Sequence, residues 1–579
     1  MTRRDILKYG VVAGGGILLS TKGLVPRLFA NTPQSPQTTP FMDELPVPNT
    51  VQRLANRISD LDVDAQTFAG PNASFYKIIA MQRQVHYHSQ LPPTGIWGYV
   101  DGNPAAPPPL DAAPGPTFMS RISADRFSGN IVRVQNNLPS NTTGFGLPQL
   151  TTHFHGGHQP SRSDGFPAKI TVNGKTFDPV IQPNGGHFDH TFPQVDPGSI
   201  SDVADPSDRP STLWYHDHIL DSTGANVYRG LAGFYLVFDE LDTGNEYTGL
   251  RLPSGQFDVP LVIQDRMFAP DGSLVFDPFN HDGFLGDKFV VNGKIQPYLN
   301  VQGRKYRFRF LNGSNARFYQ MFLTNSAGKS FPMTMIGTDG GLTSRPLPNT
   351  GSFMIAPAER YEVIVDFSAF QPGETVYFEN RLVQDEGRGP KGTFEEPELT
   401  TAGTRMLQFR VGERVDDSHL LDVTLPGVQL RPFQPISDAE KRAALVTTIE
   451  FDRSHGAWTL NGELAGDLSR PLVSPRLNQP QILRLINKSG GWWHPNHIHS
   501  EFGRVLSRNG RSPSSTLSEQ DGVGRKDVLI LGPNTEVDVF LKFRDYAGPF
   551  VFHCHNLAHE DMAMMARFDV TTTAGQTFF

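Results

Sequence analysis

The chain of 579 residues contains a single cysteine, Cys554. With one thiol no internal disulfide can form, so the fold must be held by packing alone. A solitary thiol is also a liability in an oxidising compartment unless it is buried or bound to metal. Long apolar runs are missing too. The stretch "VVAGGGILLS" at 11–20 falls short of the ~20 apolar residues that cross a bilayer, so no stable membrane span is expected. No long basic run occurs and the net charge is -8, which argues against nucleic acid as a partner. Helix-period patterns are short and few. What is present in quantity is 41 Phe, 56 Gly and 47 Pro, a mixture that suits a turn-rich β protein with substantial cores. The length implies several domains.

At the N-terminus Arg3 and Arg4 stand ahead of the short apolar run. The arrangement resembles a twin-arginine signal over 1–30, with cleavage after Ala30. It implies an encounter with the twin-arginine export machinery and a periplasmic or extracellular destination for a folded, cofactor-loaded protein. Beyond Ala30 the chain carries 46 basic and 58 acidic residues, a net charge of -12.

An internal repeat sets the plan. "VRVQN" at 132–136, "FRFLN" at 308–312 and "LRLIN" at 483–487 share the order apolar, Arg, apolar, any residue, Asn. Their arginines, Arg133, Arg309 and Arg484, are nearly evenly spaced. Each alternates as a half-buried strand does and ends on a turn-forming Asn. "YEVIVDF" at 361–367 and "EVDVFLKF" at 536–543 form a second echo. The reading is all-β: three tandem β-sandwich domains of Greek-key type, over 31–240, 241–412 and 413–579.

The histidines fall on that plan in pairs: His153 and His155 in "THFHGGH", His216 and His218 in "LWYHDH", His497 and His499 in "WWHPNHIH", and His553 and His555 in "HCH". On a strand, residues i and i+2 share a face ~7 Å apart, so each pair can offer imidazoles to two neighbouring metals. No pair marks the matching middle strand "TVYFEN" (375–380). The metals are therefore expected where the first and third domains meet, with the second as a spacer. In "HCH" the sulfur points opposite to the imidazoles, towards a separate metal. Two His, one Cys and a weak axial Met is the blue-copper arrangement. His559 and Met564 follow Cys554 at five-residue steps, and His494, held extended by Pro495, supplies the second imidazole. A lone His-x-His pair is more often structural, and zinc sites or iron- and manganese-binding cupins use one. Neither calls for four pairs with a Cys inside one of them.

These motifs resemble those of the multicopper oxidases over essentially the whole chain after the signal. The resemblance implies three cupredoxin domains and four copper ions, one type 1, one type 2 and two type 3. It implies type 1 ligands His494, Cys554, His559 and Met564, the last flanked by Met562 and Met565. Type 2 would take His153 and His497. One type 3 copper would take His155, His216 and His555, the other His218, His499 and His553. It also implies proton roles for Asp164 and Glu560, a small aromatic reductant and dioxygen as reaction partners, and a monomer. "GFLGDKFVVNGKIQPYLNV" and "HEDMAMM" are similar to the bilirubin oxidase and spore-coat laccase branch, and Trp492 sits as in bilirubin oxidases, by the reductant. Trp493 and Asn496 depart from the small or aliphatic residues usual there. The alternatives are a copper-tolerance or metal oxidase, disfavoured by the lack of a Met-rich insert, and a non-catalytic cupredoxin-fold scaffold or cell-division protein, disfavoured because every ligand position is filled.

Overall fold

The structure, a computed structural model, describes residues 34–572 apart from 63–64, 67–71, 123–128, 142, 455, 465 and 514–518. The twin-arginine segment lies outside the described residues. Three sandwiches follow one another. In the first, strands Thr94–Asp101, Ser74–Val85, Gly129–Asn136 and Gly186–Pro193 face a sheet of Phe118–Arg121, Ala232–Phe238, Thr212–Asp217 and Thr152–His155. The second pairs a seven-stranded with a six-stranded sheet between Asp258 and Arg414. The third pairs a six-stranded sheet with a four-stranded one, ordered Val528–Leu531, His494–Ile498, Gly548–Cys554 and Met565–Val570.

The repeat is the keel of all three. Strands Gly129–Asn136, Lys305–Asn312 and Pro480–Asn487 each run parallel to an earlier neighbour and antiparallel to a later one. Each repeat arginine donates through two nitrogens to one aspartate: Arg133 to Asp189 at 2.8 Å, Arg309 to Asp258 at 2.7 Å, and Arg484 to Asp538 at 2.8 and 2.9 Å. Such forked pairs add direction as well as attraction. Each repeat asparagine accepts from the backbone N–H two residues on, at 3.0 Å, while its amide donates to two or three carbonyls of other segments. The turn and the anchoring of its neighbours are thus one side chain's work.

Apolar residues fill each sandwich, with Phe308, Phe310, Phe378 and Phe409 meeting edge-on or tilted at 4.9–5.3 Å in the second. Each such buried ring contributes about 1.5–3 kcal/mol. Val551 and Met565 of the third sandwich pack into the core of the first, which joins the two outer sandwiches directly. Among the described residues no helix is long and apolar enough to cross a membrane.

Candidate metal centre

Strand pairing brings the histidines together. His153 lies opposite His216, and His497 opposite His553. The two four-stranded sheets that carry these pairs face each other across the junction of the first and third sandwiches. All eight His-x-His imidazoles are essentially inaccessible to solvent. His153 Nε2 approaches His497 Nε2 at 3.3 Å. The Nε2 atoms of His218 and His499 each lie 3.2 Å from that of His553. The His555 ring sits 5.3 Å from His155 and 5.4 Å from His216. The pair His153 and His497 and the trio His218, His499 and His553 thus approach at short range, while His155, His216 and His555 have neighbouring rings.

The donor set fits metal ions. Carbonyls only accept, so the Nδ1 atoms of His153, His216 and His497 must donate their protons to the carbonyls of Asp164 (2.5 Å), Asp217 (2.8 Å) and Asp527 (3.0 Å). That leaves lone pairs on Nε2. Facing lone pairs repel unless a cation lies between them. Both ring nitrogens of His155 and His555, and Nε2 of His216, have no hydrogen-bond partner although buried. Burial pushes the imidazoles down, His216 to about 3 and His218 to about 4, with His155, His497, His499 and His555 well below the usual histidine range. Neutral imidazoles are the metal-binding form.

A second buried cluster lies behind the strand. The Cys554 sulfur is 3.4 Å from His494 Nδ1 and 3.5 Å from His559 Nδ1, and those two nitrogens are 3.2 Å apart. Burial drives the thiol well above its usual range, with Glu560 adding to the effect against a backbone hydrogen bond from Asn556, so a cation in contact is what would hold it as thiolate. His494 donates through Nε2 to Ser489 Oγ at 2.8 Å, which turns Nδ1 inward. Asn556 caps helix Leu557–Asp561, which carries His559. Met564 is wholly buried in the core that holds Cys554 and shares it with Met562, whereas Met565 packs towards the first sandwich. The Met564 carbonyl accepts from Cys554 N at 3.0 Å.

Both expected acids touch the histidine cluster. Asp164 Oδ2 meets His499 Nδ1 at 2.6 Å, and its Oδ1 accepts from Gln159 at 2.6 Å. Burial raises its carboxyl well above the normal range. Glu560 lies 3.0 Å from His553 Nδ1 and 3.6 Å from His218 Nδ1. Burial pushes Glu560 up, but His553 and His218 outweigh it and hold the carboxyl well below its usual value. Trp492 is half-buried. Its indole donates to Asp282 Oδ1 at 2.9 Å and lies between the guanidinium groups of Arg388 and Arg453, 4.6 and 4.7 Å from the ring. Its link to the sulfur site runs through Trp458, edge-on at 5.6 Å, whose own ring is 4.3 Å from His559.

Trp458 carries no motif, and only the fold reveals it. The middle sandwich is also more than a spacer. Its Arg360 donates to both Asp527 oxygens at 2.7 Å, and Asp527 Oδ1 lies 3.6 Å from His155 Nε2. The acidic stretch 384–399 begins as a strap on the third sandwich: Arg388 O accepts from Trp493 N at 2.8 Å, and Gly387 O from Asn556 Nδ2 at 3.2 Å.

Family comparisons agree with this geometry. Models of the multicopper oxidase family match residues 279–391 and 438–574. A laccase of Bacillus stratosphericus is 30% identical over 92% of this chain and 99% of its own. A laccase of Haloferax volcanii is 31% identical over 98% and 91%, and a bilirubin oxidase of Albifimbria verrucaria 31% over 79% and 72%. The crystal structure of the McoA multicopper oxidase from Aquifex aeolicus superposes with a TM-score of 0.68 at 25% identity, covering 91% of this chain and 99% of that one. The chain belongs to the multicopper oxidase family. It is a copper-dependent, laccase-like oxidoreductase with dioxygen as acceptor.

Proposed function

We propose that the protein oxidises small phenolic or tetrapyrrole-type aromatic molecules one electron at a time beside His559, and that it holds four coppers. His494, Cys554, His559 and Met564 would hold the type 1 ion, and His153 with His497 the type 2 ion. His155, His216 and His555 would hold one type 3 ion, and His218, His499 and His553 the other. The observation that carries the reading is the convergence of ten buried imidazoles on two centres joined by a single tripeptide. The chemistry that bound copper supplies is one-electron transfer, four electrons and four protons turning dioxygen into two waters.

The chain's own residues do the rest. Trp492, braced by Asp282 and by the guanidinium groups of Arg388 and Arg453 over its ring, forms the outer wall beside which a flat reductant can pack. Trp458 links that wall to His559, edge-on to Trp492 at 5.6 Å and 4.3 Å from the His559 ring. The backbone from Cys554 to His553 and His555 gives a covalent path between the two centres. Glu560, beside His553 and His218, can take up a proton and pass it towards the cluster, and Asp164, whose carboxyl burial raises, can donate one. We assign the domains to 31–240, 241–412 and 413–579, supported by the spans of the sheet pairs, and export to the pair Arg3 and Arg4.

The test combines copper analysis, the blue absorption band and oxygen uptake with a phenol. Wild type is expected to hold four coppers and be blue, and Cys554→Ser to lose colour and turnover together. Turnover surviving in Cys554→Ser would overturn the type 1 assignment. A colourless wild type holding copper without oxygen uptake would instead favour a storage role. Trp492→Ala should change oxidation of large aromatics more than copper content.

A further inference from the structure

Asn496 stands in place of the small or aliphatic residue that the family resemblance implies. It lies on strand His494–Ile498, and strand alternation turns its side chain into the third sandwich, away from His497 and His499. Its register partner is Cys554. The side chain is fully buried, and neither Nδ2 nor Oδ1 has a hydrogen-bond partner. A primary amide carries two donors and two acceptor lone pairs, and native interiors rarely leave such a group unmet. In front of this amide is a cavity of about 100 Å³, walled by Ile449, Leu485, Phe552 and Phe568. The half-exposed Leu445 stands at its mouth, and the polar lining other than Asn496 belongs to strand starts and a loop, as with Gln481. An apolar chamber with one unsatisfied amide at its inner end is the usual composition of a small-ligand site.

We propose that this cavity binds a small, single-ring apolar molecule carrying one hydroxyl, with the ring against the apolar walls and the hydroxyl bonded to the Asn496 amide. An engineered apolar cavity of ~150 Å³ takes benzene, and here the open mouth adds to the enclosed space. A hydroxyl donates and accepts at once, which matches the paired donor and acceptor of the amide. No bond is made or broken in this step. Phe552 shares a strand face with Cys554, so the occupant rests one side chain from the sulfur centre, on the side opposite the histidine cluster.

The probe is 4-fluorophenol. It is titrated into the full-length, copper-loaded protein reduced with dithionite under argon, where no oxidant remains to consume it, and ¹⁹F NMR follows binding. Two saturable sites are expected, an outer one by Trp492 and the one in this cavity, and only the second should respond to changes at Asn496 or Leu445. Asn496→Leu, similar in size but without hydrogen bonds, should weaken cavity binding about tenfold. Leu445→Trp closes the mouth from an exposed position, leaves the core intact, and should abolish cavity binding even where Asn496→Leu does not fold. Saturable binding weakened by either variant supports the site. Absence of saturation, affinity unchanged in every folded variant, or a crystal structure with waters on Asn496 that the probe does not displace would overturn it.

Discussion

Asp164 and Glu560 both touch cluster imidazoles, yet their surroundings push them in opposite directions. Asp164 has only amide and imidazole N–H groups near it, so burial dominates and favours its neutral form. Glu560 sits between two histidines that favour its charge. Carboxyl groups driven apart in this way suit donor and acceptor roles. Glu560→Gln keeps the shape but removes the acceptor charge. It should retain four coppers and the blue band, reduce normally with substrate under argon, and reoxidise ~10²–10⁴-fold more slowly. Stopped-flow mixing of the reduced variant with dioxygen measures this, and reoxidation at the wild-type rate would make Glu560 a structural acid. At this scale the buried histidine and cysteine clusters were legible because period-2 spacing and a lone Cys are visible in one dimension. Trp458, Arg360 and Asp282 were not, because their partners are non-local: Trp458 is 101 positions from His559, and Arg360 is 167 from Asp527.

The three repeat strands make similar elements whose surroundings differ. Asn312 and Asn487 do the same job, each tying a turn to distant carbonyls, but only Asn487 holds the backbone of Trp492, at 2.7 Å. Asn312→Ala and Asn487→Ala should each lose about 2–3 kcal/mol through unmet carbonyls and a loosened turn. Only Asn487→Ala should also shift the blue band or the rate with large aromatics, which thermal melts and absorption spectra together would reveal. A second element, the loop at 198–201, is clasped by Asp545, which accepts from Gly198 N, Ile200 N and Ser201 N at 2.7–2.9 Å and from His158 Nε2 at 2.8 Å. Burial pulls His158 down, but Glu501 and Asp545 raise it above the usual value on balance. A raised imidazole stabilises the fold fully below about pH 6.5, and that stabilisation fades as pH climbs through its folded value. Melting temperature should therefore fall with rising pH above neutrality in wild type, and His158→Gln should flatten that limb. An unchanged slope in the variant would show that the clasp needs no imidazolium.

At the level of the whole molecule, the two outer sandwiches share core residues and the histidine cluster, while the middle one braces them through Arg360 and the strap at 385–389. All five tryptophans, Trp97, Trp214, Trp458, Trp492 and Trp493, lie in the outer sandwiches. Copper bound only by the folded state adds ~4 kcal/mol when present at a thousand times its dissociation constant. Stripping copper should thus lower the unfolding temperature seen by tryptophan fluorescence, and leave the calorimetric transition of the middle sandwich less affected. Three sandwiches could be read from the repeat because strand, arginine and asparagine recur together. The bracing could not, since it depends on how the sandwiches dock rather than on what each contains. The docking also has a consequence in time. His218 meets His553 across 335 residues and His153 meets His497 across 344. At about 5–20 residues per second, the ribosome needs roughly 20–70 s after making the early histidines to deliver the later ones. The first half of the site must wait that long as a half-built socket, because each of the copper sites proposed above draws at least one residue from the third sandwich.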